Sequence, residues 1–558
     1  MLYFCHINKK TLIKLRFCII FAPQKNKTMK IALAQLNYHI GNFESNAQKI
    51  ISTAKEAKKN GADLVVFSEL SVCGYCPDDL LERTDFVDDC NAAVEKIVAE
   101  CADIPIIIGA PLTNVAKHGK RLLNAALFIV DGNVMSQCKT VLPDAGVIDE
   151  HRYFEPSDKF DLINLNGVKI ALTVGCDVVD YPMDIIAKLN PDFIVNISAV
   201  PYAHDDSHLP DLSAVAKKYG LPLLNVNQVG ANTNLIYEGR SIAFNADGKV
   251  IAECKSFEED LQYVETKSFK SAGEELRKID TTESIFHAIT LGLRDYFAKM
   301  NFKTAVLGLS GGIDSAVVLA LAVNALGREN VHSILMPTCY SSSHSIDDSL
   351  EMLKRTKSSY HIIPIEDLRN AFGTAMAEAF DGTKPGLAEE NIQARLRGSI
   401  LMAYSNKFGN ILLNTSNKSE EAVGYSTLYG DMCGSLSLLG DVYKTEVYRL
   451  ARYINEHCGN IIPQNIIDKA PSAELRPDQK DQDSLPPYDI LDAILNCYLE
   501  GNMTADEIKA KGFDAETVDF VLKLTKRVEY KRFQAPPILK VSSCPFGHSQ
   551  SVPLVAKY

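Results

Sequence analysis

The stretch from Thr304 to Ser315 reads TAVLGLSGGIDS, and its surroundings predict the fold of the second half of the chain. Residues 304–309 form an apolar run that predicts a strand, and residues 316–326 are apolar at helical spacing. Glycines in such a turn let the backbone approach a phosphate, and free N–H groups at the helix start point at it. The stretch therefore predicts an anion-binding loop between a strand and a helix.

The loop lacks the lysine of a Walker P-loop. It resembles the SGGxDS pyrophosphate loop of the ATP pyrophosphatase superfamily, whose members split ATP into AMP and pyrophosphate to adenylate a substrate. The resemblance implies that Asp314 serves a magnesium ion. This motif by itself leaves several enzymes open, including GMP synthetase, asparagine synthetase, argininosuccinate synthetase and tRNA-thiolating enzymes.

Other segments of the second half narrow the choice, and they resemble the NAD synthetases over nearly all of residues 283–540. Taken singly, Arg395 and Arg397 would be solvated or paired, residues 472–487 would be a surface loop, and Lys531 would be an exposed charge. Their shared order and spacing make a joint coincidence improbable. The segments are 336–337, 340–345, 390–398, 417–431, 441–445, 471–488 and 529–532.

The resemblance to the NAD synthetases implies an ATP site, a deamido-NAD site and a Mg²⁺ site in a doubly wound parallel-sheet domain. One local departure is Ser416, where a glycine is usual. The implied ATP-binding residues are Gly308, Leu309, Ser310, Gly311, Gly312, Ile313, Asp314, Ser315 and Thr415. The implied deamido-NAD-binding residues are Asn391, Glu420, Tyr425, Ser426, Thr427, Leu428 and Lys531, and the implied metal ligands are Asp314 and Glu420.

The first half alternates short aliphatic runs with longer helical patterns, which is typical of an α/β layer architecture. Helices are predicted over residues 46–59 and 88–101, and a further helix over 283–299 follows a polar linker. The predicted strands are 31–36, 64–67, 104–109, 125–130, 168–174, 193–197 and 223–226.

Three polar residues follow predicted strands in this half: Glu69, Lys139 and Cys176. An ammonium group beside a thiol favours the thiolate, and a carboxylate can take the thiol proton and later activate water. These residue types therefore suffice for amide hydrolysis through a thioester. Taken singly, they would more often be two surface charges and a core cysteine.

Segments 68–75, 138–143 and 175–177 resemble the three signatures of the nitrilase, or carbon–nitrogen hydrolase, superfamily. The resemblance covers roughly residues 29–265 and implies a four-layer αββα sandwich. It implies that Cys176 is the nucleophile, Glu69 the general base and Lys139 a stabiliser of the oxyanion. Glu150 resembles a supporting glutamate, and the backbone N–H of Asp177 would complete the oxyanion hole.

The groups expected to hold the amino-acid end of glutamine are changed. Ala145 stands where glutamine-hydrolysing members usually have a tyrosine, Val200 replaces a serine, and Asp206 stands near the place of a basic residue. These changes favour an alternative hypothesis, in which the first domain is a scaffold or uses another amide. The chain would then be an ammonia-dependent synthetase.

Length and composition limit the number of domains and the kinds of partner that this protein can have. At 558 residues the chain should hold at least two domains, and its net charge of −12 disfavours nonspecific nucleic-acid binding. Residues 1–28 carry six basic side chains and no acidic one, so the rest of the chain carries −18. They lack a small-residue cleavage site, so we interpret them as a disordered extension or an upstream start. Fourteen cysteines without framework spacing indicate the cytoplasm, and the lone pair Cys73 and Cys76 is a poor metal site.

A nitrilase-like domain (29–265), a linker (266–282) and a synthetase domain (283–558) together resemble the glutamine-dependent members of the NAD synthetase family. The resemblance implies amidation of deamido-NAD to NAD through an adenylate, with L-glutamine as the source of ammonia. It also implies a homo-oligomer and a protected ammonia route. We expect no nucleic-acid or membrane partner. A third hypothesis, a noncatalytic nucleotide sensor, is disfavoured because Asp314, Glu420 and Lys531 are all present.

Overall fold

The alternation of side chains along two central strands explains the first half of the fold. In the computed structural model, Ile170 and Leu172 pack into the core between two sheets, whereas Ala171 packs against helices on the outer face. On the next strand, Val195 packs into the core between the sheets and Ile194 packs against the outer helices. Successive residues of a strand point to opposite faces, so a strand that is apolar throughout must be covered on both sides. The result is the four-layer αββα sandwich that was predicted.

The structure describes residues 5–7, 11–13, 28–116, 118–144, 146–477, 479–547, 550 and 552–556. Predictions about most of residues 1–28 and about Ala145 fall outside these residues. The chain divides into two compact units, which comprise residues 1–202, 206–232 and 236–278, and residues 203–205, 233–235 and 279–558.

The helices of the first unit are α1 (Phe43–Lys59), α2 (Thr84–Glu100), α3 (Pro182–Ile186) and α4 (Leu209–Tyr219). Its strands are β1 (Cys5–Ile7), β2 (Thr11–Ile13), β3 (Lys30–Gln35), β4 (Leu64–Val66), β5 (Ile106–Thr113), β6 (Leu122–Val130), β7 (Asn133–Cys138), β8 (Leu162–Leu165), β9 (Val168–Val174), β10 (Phe193–Ser198), β11 (Leu223–Asn227), β12 (Val229–Asn232), β13 (Leu235–Glu238), β14 (Ile242–Phe244), β15 (Val250–Glu253) and β16 (Asp260–Glu265).

Two six-stranded sheets make the sandwich, with strand orders β16-β3-β4-β5-β6-β7 and β15-β14-β11-β10-β9-β8. Strands β3, β4 and β5 run parallel in the first sheet, as β9, β10 and β11 do in the second, and the outer strands are antiparallel. The smaller pairs are β1 with β2 and β12 with β13. All seven predicted strands are confirmed, six of them with shifted ends. The largest difference is at the end of β5. This strand was predicted to end at residue 109, but its pairing with β6 continues past Pro111 to Thr113.

Among its described residues, the second unit has five strands: β17 (Ala305–Gly308), β18 (Val331–Leu335), β19 (Ser359–Ile362), β20 (Ile411–Asn414) and β21 (Leu436–Ser437). Its helices are α5 (Thr281–Lys299), α6 (Ile313–Leu326), α7 (Ser343–Thr356), α8 (Glu366–Met376), α9 (Leu387–Phe408), α10 (Lys418–Val423), α11 (Lys444–His457), α12 (Gln464–Asp468), α13 (Tyr488–Leu499), α14 (Ala505–Ala510), α15 (Ala515–Arg527) and α16 (Glu529–Arg532).

The five strands form one parallel sheet with the order β19-β18-β17-β20-β21, so the order reverses between β17 and β20. In open α/β sheets ligands bind at this reversal, outside the carboxyl ends of the strands. Val306 packs with Leu401 of α9, and α6 also contacts β17. The predicted doubly wound domain is thus confirmed, although α6 begins at Ile313 rather than at residue 316.

No helix in the described ranges has the length and apolarity that a bilayer span requires.

Candidate active sites

Glu69 and Lys139, two of the three predicted amidase residues, form a buried ion pair. Lys139 Nζ lies 2.8 Å from Glu69 Oε1 and 2.9 Å from Glu150 Oε1, and each of these side chains is at most 2% exposed. Lys139 directly follows β7, and two residues separate Glu69 from the end of β4. The two carboxylates hold the pKa of Lys139 well above its usual value despite burial, so Lys139 remains charged.

Both oxygens of Glu69 have hydrogen-bond donors. Oε1 accepts from Asn124 Nδ2 at 2.7 Å as well as from Lys139, and Oε2 accepts from the backbone N–H of Ala199 at 3.1 Å. Burial raises the pKa of Glu69, and Lys139 opposes the shift. A carboxylate with a raised pKa and a fixed orientation is suited to take and return a proton.

Glu150 lies on the other side of Lys139 and was predicted as a supporting glutamate. Its Oε1 accepts from the hydroxyl of Tyr75 at 2.6 Å, and the Tyr75 carbonyl accepts from Asn232 Nδ2 at 2.8 Å. Asn124 Nδ2 lies 3.4 Å from the same oxygen, so Lys139 and Asn124 each contact both carboxylates. Asn124 was missed in the sequence because it lies within the apolar strand β6.

Cys176 follows β9 in a 3-10 turn over Gly175–Val179. Gly175 has a φ of 57°, and a Cβ on it would lie 2.6 Å from Lys139 Nζ, so the turn packs directly on the ammonium group. Burial raises the pKa of Cys176, Lys139 lowers it, and the two glutamates raise it. The expected effect of the ammonium is therefore present but outweighed, and the thiol needs a base.

Asp177 links the Cys176 turn to the segment that follows Lys139. Its carboxylate accepts from the N–H groups of Thr140 at 3.0 Å and Val141 at 2.7 Å. Burial raises the pKa of Asp177 to about 7. Two residues that differ from the glutamine-hydrolysing members lie among the described residues. Val200 donates its N–H to Asn227 at 2.9 Å, and the side chain of Asp206 is exposed.

The second candidate site begins where β17 ends. Gly311 has a φ of 79°, and a Cβ there would lie 2.4 Å from the carbonyl oxygen of Ser345, so only glycine fits. Ser310 Oγ accepts from the N–H of Gly312 at 3.2 Å and lies 3.1 Å from Ser315 Oγ. These contacts fix the loop ahead of α6 and leave the start of the helix facing a cavity.

The cavity has a volume of about 310 Å³. All eight predicted loop residues, 308–315, line it, as do Thr415, Glu420 and Tyr425. Thr415 directly follows β20, so both strands at the reversal of the sheet contribute to the cavity. Residues that the sequence analysis did not assign also line it, including Arg397, Lys444, Lys469, Glu474 and Asp481.

Asp314 and Glu420 converge on Lys444. Lys444 Nζ lies 2.5 Å from Asp314 Oδ2 and 3.2 Å from Glu420 Oε1, and Asn417 Nδ2 donates to Asp314 Oδ1 at 2.9 Å. Burial raises the pKa of Glu420 to about 8, and the two carboxylates raise the pKa of Lys444. The sequence by itself assigns no role to Lys444 within the segment 441–445, because a lysine at the start of a helix is typical of an exposed charge.

The other predicted deamido-NAD residues form a cluster beside Tyr425. Thr427 Oγ1 donates to Asn391 Oδ1 at 2.9 Å, and Lys531 Nζ donates to the carbonyl of Ser426 at 2.6 Å. Arg395 Nε donates to the carbonyl of Leu428 at 3.2 Å. Arg395 is therefore paired, which is what the residue taken singly would suggest. None of Asn391, Ser426, Thr427, Leu428 or Lys531 is among the described residues lining the cavity.

The segment 472–487 is partly exposed, as its composition indicates, but it also contributes to the cavity. Ser472, Glu474 and Asp481 line the cavity, and Asp481 is buried and accepts from the Tyr488 hydroxyl at 2.9 Å. Arg397 also lines the cavity, where burial lowers its pKa.

Two family models match the chain, one in each half. Family models described as carbon-nitrogen hydrolase and NAD synthase match residues 30–269 and 285–535. The glutamine-dependent NAD(+) synthetase of Synechocystis sp. is 41% identical over 95% of this chain and 99% of its own length. That of Acinetobacter baylyi is 40% identical over 95% and 98%. The chain belongs to the glutamine-dependent NAD(+) synthetase family.

A solved member of this synthetase family has the same fold. The glutamine-dependent NAD+ synthetase from Acinetobacter baumannii, in complex with ADP, matches with a TM-score of 0.75 and 37% identity over 95% of this chain and 99% of that one. A member from Cytophaga hutchinsonii, at 19% identity, matches the fold with a TM-score of 0.81 over 95% and 98%.

Gly175→Ala tests the amidase geometry of the synthetase. The added Cβ would displace Lys139 and the Cys176 turn, so we expect glutamine-driven NAD formation to fall by about 100-fold, the usual cost of a 1 Å misplacement. The ammonia-driven rate should stay close to that of the unmodified enzyme. Gly132→Ala is the matched control, because Gly132 also has a positive φ but open space around its Cβ position. Equal loss in both variants would contradict the geometry.

Proposed function

We propose that this enzyme converts deamido-NAD to NAD with ATP, and that its ammonia comes from L-glutamine hydrolysed at Cys176. The observation that carries the proposal is that one chain holds both a buried Glu69–Lys139 pair beside a cysteine and a glycine-rich anion loop beside paired carboxylates. Residues 29–265 would form the amidase domain and residues 283–558 the synthetase domain, with residues 266–282 between them.

In the amidase domain, Glu69 takes the proton of Cys176 as its sulfur attacks the amide carbon of glutamine. Lys139 and the N–H of Asp177 stabilise the oxyanion. Collapse of the intermediate returns the proton to the leaving nitrogen, releases ammonia and leaves a thioester. Glu69 then takes a proton from water, the hydroxide attacks the thioester, and glutamate leaves as the thiol is restored.

In the synthetase domain, the nicotinate carboxylate of deamido-NAD attacks the α-phosphate of ATP, and pyrophosphate leaves. Ammonia then attacks the mixed anhydride, which gives NAD and AMP. The N–H groups of the loop 308–315 and the ammonium of Lys444 would offset phosphate charge, and Thr415 would contact ATP. Asn391, Tyr425 to Leu428 and Lys531 would hold deamido-NAD, with Glu420 at the junction of the two sites.

The residues around Lys444 fit a Mg²⁺ site. Asp314 and Glu420 place two carboxylates around one cationic atom, and Mg²⁺ is commonly bound by one or two carboxylates together with substrate phosphates. The two carboxylates would hold Mg²⁺ against ATP. Bound there, Mg²⁺ would neutralise charge that develops on the phosphates.

We also propose a homo-oligomer and a reducing location. Strand β19 is an edge strand with all four residues exposed, and beside it Phe408, 61% exposed, packs on Tyr404 with ring centroids 4.4 Å apart. An open sheet edge with exposed rings favours association. A reduced Cys176, which the hydrolysis requires, favours the cytoplasm.

Cys176→Ala tests the source of ammonia. We expect glutamine-driven NAD formation to be lost and ammonium-driven formation to persist, because only the first needs the thiol. Steady-state rates with each nitrogen donor measure this, with Cys101→Ala as the control. An unchanged glutamine-driven rate in Cys176→Ala would contradict the assignment.

Asp314→Asn and Glu420→Gln test the metal site. Loss of even an outer-shell partner typically costs 10–100-fold in metal affinity, so loss of a ligand should raise the Mg²⁺ concentration for half-maximal rate by at least about tenfold. Titration of the ammonium-driven rate with MgCl₂ measures this. Asp489→Asn, which removes an exposed carboxylate on α13, should have no effect. An unchanged Mg²⁺ requirement in both site variants would contradict the proposal.

A further inference from the structure

The contact between Glu420 and Lys444 joins the starts of two helices. Glu420 is the third residue of α10 and Lys444 is the first residue of α11, and their side chains lie 3.2 Å apart. From this position Lys444 Nζ also lies 2.5 Å from Asp314 Oδ2. The relative placement of the two helix starts therefore sets the geometry of the synthetase site.

A third helix holds these two starts together through Asp492. This residue lies on α13, is 5% exposed, and contacts neither Asp314 nor Glu420 by a hydrogen bond within the described residues. Its Oδ1 accepts from Ser419 Oγ at 2.5 Å, and its Oδ2 accepts from the N–H of Thr445 at 2.8 Å. Ser419 Oγ accepts in turn from the N–H of Lys444 at 2.9 Å.

These bonds close a ring. Ser419 directly precedes Glu420, and Thr445 directly follows Lys444, so the ring ties the backbone on one side of each site residue. Its members are Asp492, Ser419, and the N–H groups of Lys444 and Thr445. A rotation or slide of either helix would break at least one bond of the ring.

The helix start at Lys444 needs an acceptor from outside its own helix. Tyr443, the N-cap of α11, makes no side-chain capping bond to the N–H groups of the first turn. Asp492 supplies an anionic acceptor there, where the helix dipole favours negative charge. An apolar residue at 492 would leave the Thr445 N–H and the Ser419 hydroxyl buried without this partner.

We propose that Asp492 is a positioning residue of the synthetase site: its carboxylate fixes Ser419 and Thr445 and thereby sets Glu420 against Lys444. The proposal rests on the proposed function for its kinetic test. A second, structural test does not depend on that function.

The kinetic test compares Asp492→Ala, Asp492→Asn and Ser419→Ala in the full chain, driven by ammonium chloride. Misplacement of a catalytic group by about 1 Å costs about 100-fold, so we expect kcat to fall by about 10- to 100-fold in Asp492→Ala and in Ser419→Ala. KM for deamido-NAD should change less than kcat, because the ring positions Glu420 but not the cluster around Asn391. Asp492→Asn keeps the shape and one acceptor, so it should recover part of kcat.

Thr525→Val is the matched control. Thr525 is buried on α15, which packs on α13, and its hydroxyl donates to the Val521 carbonyl at 3.0 Å away from the site. The variant loses a buried hydrogen bond in the same helical cluster, so it should lower the unfolding temperature without lowering kcat. If Asp492→Ala behaves in the same way, Asp492 is only structural and the proposal is overturned.

Coupling between the two ring residues gives a test that does not depend on Asp492→Ala folding. Residues in one hydrogen-bond network are non-additive, so the double variant Asp492→Asn, Ser419→Ala should lose little more kcat than Ser419→Ala alone. Fully additive losses would overturn the ring.

Crystal structures separate a failure of this inference from a failure of the proposed function. If the unmodified enzyme makes no NAD from deamido-NAD and ATP, the proposed function is wrong. The distance between Lys444 Nζ and Glu420 Oε1 then still tests the ring. In Ser419→Ala this distance should exceed 4 Å, which is the usual limit of an ion pair. An unchanged distance would overturn the inference.

Discussion

The folded chain depends on burying lysine ammonium groups, each of them between two carboxylates. Lys139 lies between Glu69 and Glu150, and Lys444 lies between Asp314 and Glu420. Removing an ammonium group from water costs several kcal/mol, and removing one partner of a buried pair costs about 3–5 kcal/mol. Carboxylates from separate elements must therefore converge before either lysine can be buried. A third such lysine, Lys418, lies between Asp441 and Glu500 and also bonds the Ser542 hydroxyl, which anchors the segment near residue 542.

Two carboxylates around one ammonium leave an excess negative charge, and the two sites use it differently. In the amidase domain, burial and the neighbouring Glu150 raise the pKa of Glu69, which suits the proposed role of Glu69 as the acceptor of the Cys176 proton. In the synthetase domain, burial raises the pKa of Glu420 to about 8, so holding it ionised calls for more positive charge than Lys444 supplies. In our proposal, a divalent cation would provide that charge when a polyanionic nucleotide binds. The same electrostatic arrangement would then serve proton transfer in one domain and metal binding in the other.

The sequence predicted the elements better than it predicted the contacts. Strand 168–174 was predicted with its observed ends because its apolar run is bounded by glycines, and the glycine-rich loop predicted its own strand and helix. Asn124 and Asp492 were missed, since a polar residue inside an apolar strand or helix shows no pattern until its partners on other elements are known. Composition alone indicates a surface loop over residues 472–487, because composition does not show that Asp481 is buried against Tyr488. The placement of the glutamine clamp stays a prediction, as Ala145 lies outside the described residues.

We propose that one enzyme releases the amide nitrogen of glutamine at Cys176 and incorporates it into NAD. Mass spectrometry of NAD formed with amide-¹⁵N glutamine as the sole nitrogen donor tests this transfer. NAD should gain one mass unit in its carboxamide, with one glutamate formed for each NAD. Unlabelled NAD, or NAD formed without release of glutamate, would show that the nitrogen does not come from glutamine by this route.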